Sequence, residues 1–183
     1  MPAAEVKGYT LLSYVTPLKR DKSALWERIE SGMTPDDREF FDGTIFANNW
    51  YPRPRLHALM NAFRDATSGR NEDVRELGAM AARFQLHVIY RLFFKFATPA
   101  MVFKRASSVW TRQSTVGSFR VVESHDDHLV GELEDPDLPA GIPELMAGWS
   151  DTIIAMLGKT PYPTTWERVA PRRWRFRVSW VSH

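Results

Sequence analysis

The chain contains no cysteine, so disulfides, thiolate metal sites and cysteine nucleophiles are excluded at the outset. It has no apolar run of the roughly 18–20 residues that a membrane-spanning helix needs, and Met1 to Glu5 has no signal-peptide character. An excess of either charge is also missing. The 24 basic and 22 acidic residues leave a formal net charge of +2, which gives no electrostatic case for nucleic acid. A glycine-rich phosphate loop, a serine nucleophile elbow and a paired-histidine helix of the zinc-protease type are absent too. These absences leave a cytoplasmic, non-catalytic protein as the expectation, with no cofactor and no metal.

Aromatic bulk is what the chain does have, with seven tryptophans and eleven phenylalanines among 183 residues. A single domain of this length buries roughly 70% of its unfolded surface, enough for a substantial core. The segment Arg172–Trp180 shows how that core is built. Trp174, Phe176, Val178 and Trp180 alternate with Arg173, Arg175, Arg177 and Ser179, the period of a strand with an aromatic inside and a cationic outside.

Upstream, Val6 to Val15 is rich in β-formers and reads as a strand closed by Pro17, with a short helix as the alternative. Asp21 is positioned to cap a helix from Lys22 to Ser31 with Leu25, Trp26 and Ile29 inside. Thr34-Pro35-Asp36-Asp37 combines a capping hydroxyl, a proline at the first helical position and acids at the positive end of the dipole, for a helix burying Phe40 and Phe41. Asn48 to Pro54 is non-helical. Leu56, Leu59, Met60 and Phe63 then form one helical stripe.

The next helix is predicted from Glu72 to Lys95, through Val74, Leu77, Ala81, Phe84, Val88, Tyr90 and Phe94. Thr98-Pro99 starts another, to Thr111, burying Met101, Val102, Ala106, Val109 and Trp110. Val116–Val122 and Leu129–Leu133 read as a hairpin, followed by a helix Pro143–Leu157 with Leu145, Met146, Trp149, Ile153 and Met156 inside. Two strands close the chain. The predicted fold class is α+β: N-terminal helices, about 20–112, packed on a C-terminal twisted antiparallel sheet of order β-β-α-β-β, about 116–181.

Four groups of residues are candidate sites. Trp50, Tyr51, Trp110 and Trp149 can wall an aromatic pocket, although core packing explains large rings as well. His87, flanked by Phe84 and Tyr90, is either a haem or small-molecule ligand or a satisfied core histidine. Arg168, Arg172, Arg173, Arg175 and Arg177 either meet an acidic partner or guard an exposed edge strand against aggregation. His125-Asp126-Asp127-His128 reads first as a hairpin tip. Its two histidines, at i and i+3, would have to converge across the turn to hold an ion.

The succession of signals resembles a family. Lys7-Gly8, Thr34-Pro35-Asp36-Asp37-Arg38, Trp50-Tyr51-Pro52, Leu77-Gly78, Thr98-Pro99 to Trp110, Gly117, Gly148-Trp149, Leu157-Gly158 and Phe176 to Trp180 resemble uncharacterised proteins expanded in myxobacteria. That family is similar to the fold shared by haem-nitric-oxide-binding sensor domains, vinyl-reductase-type ligand-binding domains and TRAPP tethering subunits. The resemblance implies helices on a twisted antiparallel sheet, frequent dimerisation and a sensory or scaffold role. Members often carry cysteines in the terminal hairpin, where this chain has Val169-Ala170-Pro171-Arg172-Arg173. The haem sensors' Tyr-x-Ser-x-Arg motif is missing.

The leading expectation is a bacterial signalling module that binds a small apolar ligand or a protein partner, as a homodimer. The alternatives are a haem or gas sensor through His87, and a small hydrolase or isomerase using Asp126, Asp127 and His128.

Overall fold

The computed structural model describes residues 3–87 and 97–181, without the side chains of Leu86 and His87. In chain order the described elements are β1 (Glu5–Lys7), α1 (Gly8–Asp21), α2 (Ser23–Ser31), α3 (Pro35–Asp42), β2 (Trp50–Pro52), α4 (Pro54–Ala66) and α5 (Asn71–His87). They continue with α6 (Pro99–Gln113), β3 (Ser118–Ser124), β4 (His128–Glu134), α7 (Ile142–Met156), β5 (Pro161–Ala170) and β6 (Arg173–Trp180). The expected α+β class is what the chain adopts. Among the described residues, no helix is long and apolar enough to cross a membrane.

The N-terminal segment follows the helical alternative instead of the preferred strand. Only Glu5–Lys7 is extended, and Gly8–Asp21 is a helix that buries Leu11, Tyr14, Val15 and Leu18 at three- and four-residue spacing. Burying that face outweighs the β-preference of its tyrosines, threonines and valine. Gly8 permits the turn into the helix, because a Cβ there would lie 2.2 Å from the Phe46 carbonyl oxygen. Pro17 does not close the segment. It sits buried inside α1, where its missing N–H leaves the Ser13 carbonyl without the usual helical donor. Asp21 is no cap either: it ends α1, bound by its neighbour Arg20, and α2 begins without a side-chain cap.

The two threonine-proline starts behave as expected. The Thr34 hydroxyl accepts from the Asp37 backbone N–H at 3.2 Å, and the Thr98 hydroxyl accepts from that of Met101 at 3.3 Å. On α4, Leu56, Leu59, Met60 and Phe63 are all buried. The part of the predicted Glu72–Lys95 helix that carries Val88, Tyr90 and Phe94 lies outside the described residues.

Strands β3 to β6 form one antiparallel sheet in the order β3-β4-β6-β5. Phe119, Leu129, Leu133, Phe176, Val178 and Trp180 share its buried face, as the two-residue period required. Gly131 lies under the Phe119 ring; a Cβ there would fall 2.6 Å from Cζ. The topology overturns the edge-strand reading for Arg173, Arg175 and Arg177, because β6 is interior, and leaves it to Arg168 on β5, which is an edge. A strand's pattern reports which face is buried but not which strands flank it. On the outer face Arg173 pairs with Glu134 at 3.0 Å, Arg175 with Glu132 at 2.9 Å, and Arg120 with Glu132 at 2.7 Å. Arg168 donates to the Pro171 carbonyl and lies over the Trp174 ring, while Arg172 and Arg177 stand exposed.

The apolar core has two parts. One is formed by α1 to α5 with the start of α7, and the other by the sheet with α6, α7 and Ala82 of α5. Thus α6 and α7 roof the sheet, and the earliest helices pack beyond them. Met101, Val109 and Met156, expected inside, are exposed, whereas Phe103 is the deeply buried residue of α6.

Helix α7 joins the two parts by crossing α5 at very close range. A Cβ on Gly78 would lie 1.9 Å from the Leu145 carbonyl oxygen, and one on Gly148 would lie 2.0 Å from that of Arg75. Arg75 locks the crossing by donating to Glu144 at 2.6 Å and to the Thr164 carbonyl at 2.9 Å. In an exposed helix Gly→Ala stabilises by about 1 kcal/mol. Here the sign reverses: Gly148→Ala is expected to destabilise by at least about 1–3 kcal/mol, read from denaturant unfolding, because two backbones must separate.

Candidate functional site

Between the roofing helices lies a cavity of about 400 Å³, within the usual range for small-molecule sites. Helix α6 supplies one wall, with Val102, Ala106, Val109 and Gln113 on its helical period and Phe103 and Trp110 beside them. Tyr9, Thr10 and Tyr14 of α1 face this wall, Met146, Trp149 and Ile153 of α7 close another side, and Phe119 contributes from the sheet.

The few polar groups on the lining are held in place. Trp149 Nε1 donates to Gln85 Oε1 at 3.0 Å, and the Tyr9 hydroxyl donates to the Gln85 carbonyl at 3.1 Å. Thr10 donates to the Gln113 side chain at 3.1 Å, and Trp110 Nε1 donates to the Val116 carbonyl at 3.2 Å. Burial pushes the Tyr14 phenol far above its ordinary range, so it stays a neutral hydroxyl at physiological pH.

Three arginines line the cavity, Arg53, Arg105 and Arg112, and Arg53 alone among these three is buried. Arg53 is 2% exposed and pairs with Asp135, 0% exposed, at 2.5 Å from Nη2 to Oδ2. Asp135 Oδ1 also accepts from the Asp137 N–H at 2.9 Å, and Arg53 Nη1 reaches Ser114 Oγ at 3.4 Å. Arg53 Nε, however, is buried without a hydrogen-bond partner. This pair ties the start of α4 to the end of β4 beneath the cavity. Sequence reading missed both residues, because each stands in a loop-like run with nothing to mark it as internal.

Of the aromatic residues predicted to bind ligand, Trp110 and Trp149 line the cavity. Trp50 and Tyr51 do not. Trp50 is exposed under Lys7 Nζ at 4.1 Å, and Tyr51 packs on Phe40 while its hydroxyl accepts from the Phe46 N–H. Phe84 packs at a tilt against Tyr9 from outside the lining. The His87 side chain and Tyr90 lie outside the described residues. Tyr9, Thr10 and Tyr14 were hidden by the strand reading of their segment, since a two-residue period cannot bring them to one face.

The hairpin turn forms a second cluster, away from the cavity lining. His128 Nδ1 and Asp127 Oδ1 are 2.7 Å apart, and this bond holds the exposed Asp127 carboxyl below the usual carboxylate range. The rings of His125 and His128 stack with centroids 4.5 Å apart. Glu123, which no sequence signal singled out, joins them: one potential ligand atom from each of Glu123, His125 and His128 lies within 4.8 Å of the others.

No family model matches the chain, and no curated protein does either. Solved structures do. An Fe(II) unliganded H-NOX protein from K. algicida superposes with a TM-score of 0.73 at 9% identity, over 97% of each chain. An oxygen-binding H-NOX domain related to soluble guanylate cyclases superposes with a TM-score of 0.69 at 12% identity, over 95% of this chain and 94% of that one. At such identity the likeness establishes the fold: helices over an antiparallel sheet in the H-NOX arrangement.

Two measurements test this site. Asp135→Ala leaves the Arg53 guanidinium buried and unpaired, and is expected to cost about 3–5 kcal/mol in chemical unfolding. The raised Tyr14 phenol gives stability that is whole below the ordinary phenol range, about pH 10, and is lost as pH rises beyond it. Tyr14→Phe is therefore expected to flatten the alkaline fall in unfolding free energy, and an unchanged slope would remove that role from Tyr14.

Proposed function

We propose that this chain is a non-catalytic sensory module whose cavity between α6, α7 and α1 takes a small, mainly apolar ligand. The carrying observation is the cavity itself, partly open and walled mainly by apolar side chains with a smaller number of polar groups, the usual form of a small-molecule site. The likeness to H-NOX structures supports the reading, since a sensor fold is kept across almost the whole chain. Kinship with the myxobacterial paralogues, a role in cytoplasmic signalling and homodimer formation belong to the same proposal. The dimer rests on the apolar sequence from His87 to Phe96 alone.

A second reading, haem-based gas sensing, is favoured by those structures, one an Fe(II) protein and the other an oxygen complex. The residues described here do not fit haem. No histidine or cysteine is among the described lining residues. Tyr14 is a poor axial ligand because burial disfavours its phenolate. An imidazole ligand would have to be His87. The hydrolase or isomerase reading has less support, since Asp126, Asp127 and His128 lie apart from the cavity.

Native mass spectrometry and an absorption spectrum of the freshly purified protein test the proposal together. The expected result is a non-covalent small-molecule adduct, no Soret band, and loss of the adduct in Ala106→Trp, which fills the cavity. A Soret band abolished by His87→Ala would instead establish the haem reading. A ligand-free protein whose binding of apolar probes is unaffected by Ala106→Trp would overturn the cavity as the functional site.

A further inference from the structure

We infer that Glu123, His125 and His128 form a binding site for one divalent transition-metal ion of the zinc class at the tip of the β3–β4 hairpin. The first ground is convergence: one potential ligand atom from each residue lies within 4.8 Å of the others. Around an ion with bonds of about 2.0–2.1 Å, tetrahedral ligands stand about 3.3 Å apart, so rotation of these side chains is enough to close the set.

The second ground is a backbone irregularity that brings Glu123 to the others. Counting by twos from Phe119 and Val121, residue 123 would fall on the buried face of the sheet. The register instead shifts between Val121 and Glu123, so that Val121 opposes Gly131 while Glu123 opposes Val130. The extra residue, Val122, moves Glu123 to the outer face, the face to which His128 belongs by the same alternation on β4. Re-aiming one side chain is a typical use of such a bulge.

The third ground is the support behind the ligands. Asp127 Oδ1 lies 2.7 Å from His128 Nδ1, so the carboxylate braces that nitrogen and Nε2 is the one turned over to an ion. A carboxylate behind an imidazole is a common arrangement at metal-binding histidines. The turn is held from below by Trp180, 3% exposed, whose backbone N–H and indole Nε1 donate at 2.9 Å to the carbonyls of Asp127 and Asp126. His125 N donates to the His128 carbonyl at 2.8 Å and closes the hairpin.

Two imidazole nitrogens and one carboxylate oxygen suit zinc and its transition-metal neighbours. They offer too few oxygens for calcium or magnesium. With three protein ligands at the surface, the remaining coordination position is open to water. The ion would clamp the end of β3 to the start of β4.

The test is calorimetric titration of the tag-free, chelator-stripped protein with zinc chloride, alongside thermal unfolding. The expected result is one saturable equivalent per chain and a zinc-dependent rise in Tm. His125→Ala, His128→Ala and Glu123→Gln should each weaken binding at least about tenfold, and His57→Ala should leave it unchanged. Cobalt(II) should bind with the visible bands of nitrogen and oxygen ligation, lost in the His128→Ala variant. Absence of saturable zinc binding, binding indifferent to the three substitutions, or displacement of zinc by equimolar magnesium would each overturn the site.

Discussion

Close approach of α5 and α7 is the constraint on which the rest of the structure depends. Each helix presents a glycine to a carbonyl of the other, Gly78 to Leu145 and Gly148 to Arg75, at distances no larger residue could occupy. Because α7 follows β4 and precedes β5, this contact fixes the sheet against the helical half of the molecule. Arg75 adds direction, since its guanidinium reaches both α7 and the backbone of β5. Leu138, Met146 and Trp149 border both apolar clusters and carry packing across the junction.

The cavity follows from that arrangement. With α7 drawn onto α5, the space beside it on the sheet is left to α6, whose side towards α1 is met only in part. The Arg53–Asp135 pair sits where backbone from four distant parts of the chain comes together. Asp135 N–H donates to the Arg172 carbonyl and Arg53 N–H to that of Ala4, both at 2.9 Å. A buried ion pair is poor evidence of net stability, but breaking it is expensive, so its effect is to hold one arrangement of these segments.

What could be read in advance depended on how local its cause is. The Thr34 and Thr98 caps are determined within four residues, and both formed as the sequence suggested. The alternation of Trp174, Phe176, Val178 and Trp180 is likewise a property of one strand. Strand order, by contrast, belongs to the whole sheet, and the edge-strand alternative for the arginines of β6 failed for that reason. Helix α1 was only the second reading of its segment because its residues favour strand intrinsically, and their burial against other helices makes them helical. Trp50, Tyr51 and Phe84 fell outside the cavity lining because ring size marks burial but not which hollow a ring borders. Glu123 was invisible because a bulge, absent from any periodicity, decides where it points.

The ladder of opposite charges on the outer face of the sheet has a consequence for encounters with other molecules. Arg120, Glu132, Arg175 and Glu167 alternate across four adjacent strands, each within reach of the next. Such a surface cancels its own field within a few ångströms, well inside the Debye length of about 8 Å at physiological ionic strength. It therefore projects little long-range attraction towards a polyanion or a polycation. Anything that docks there must be matched to it by shape at short range, with an encounter rate nearly indifferent to salt.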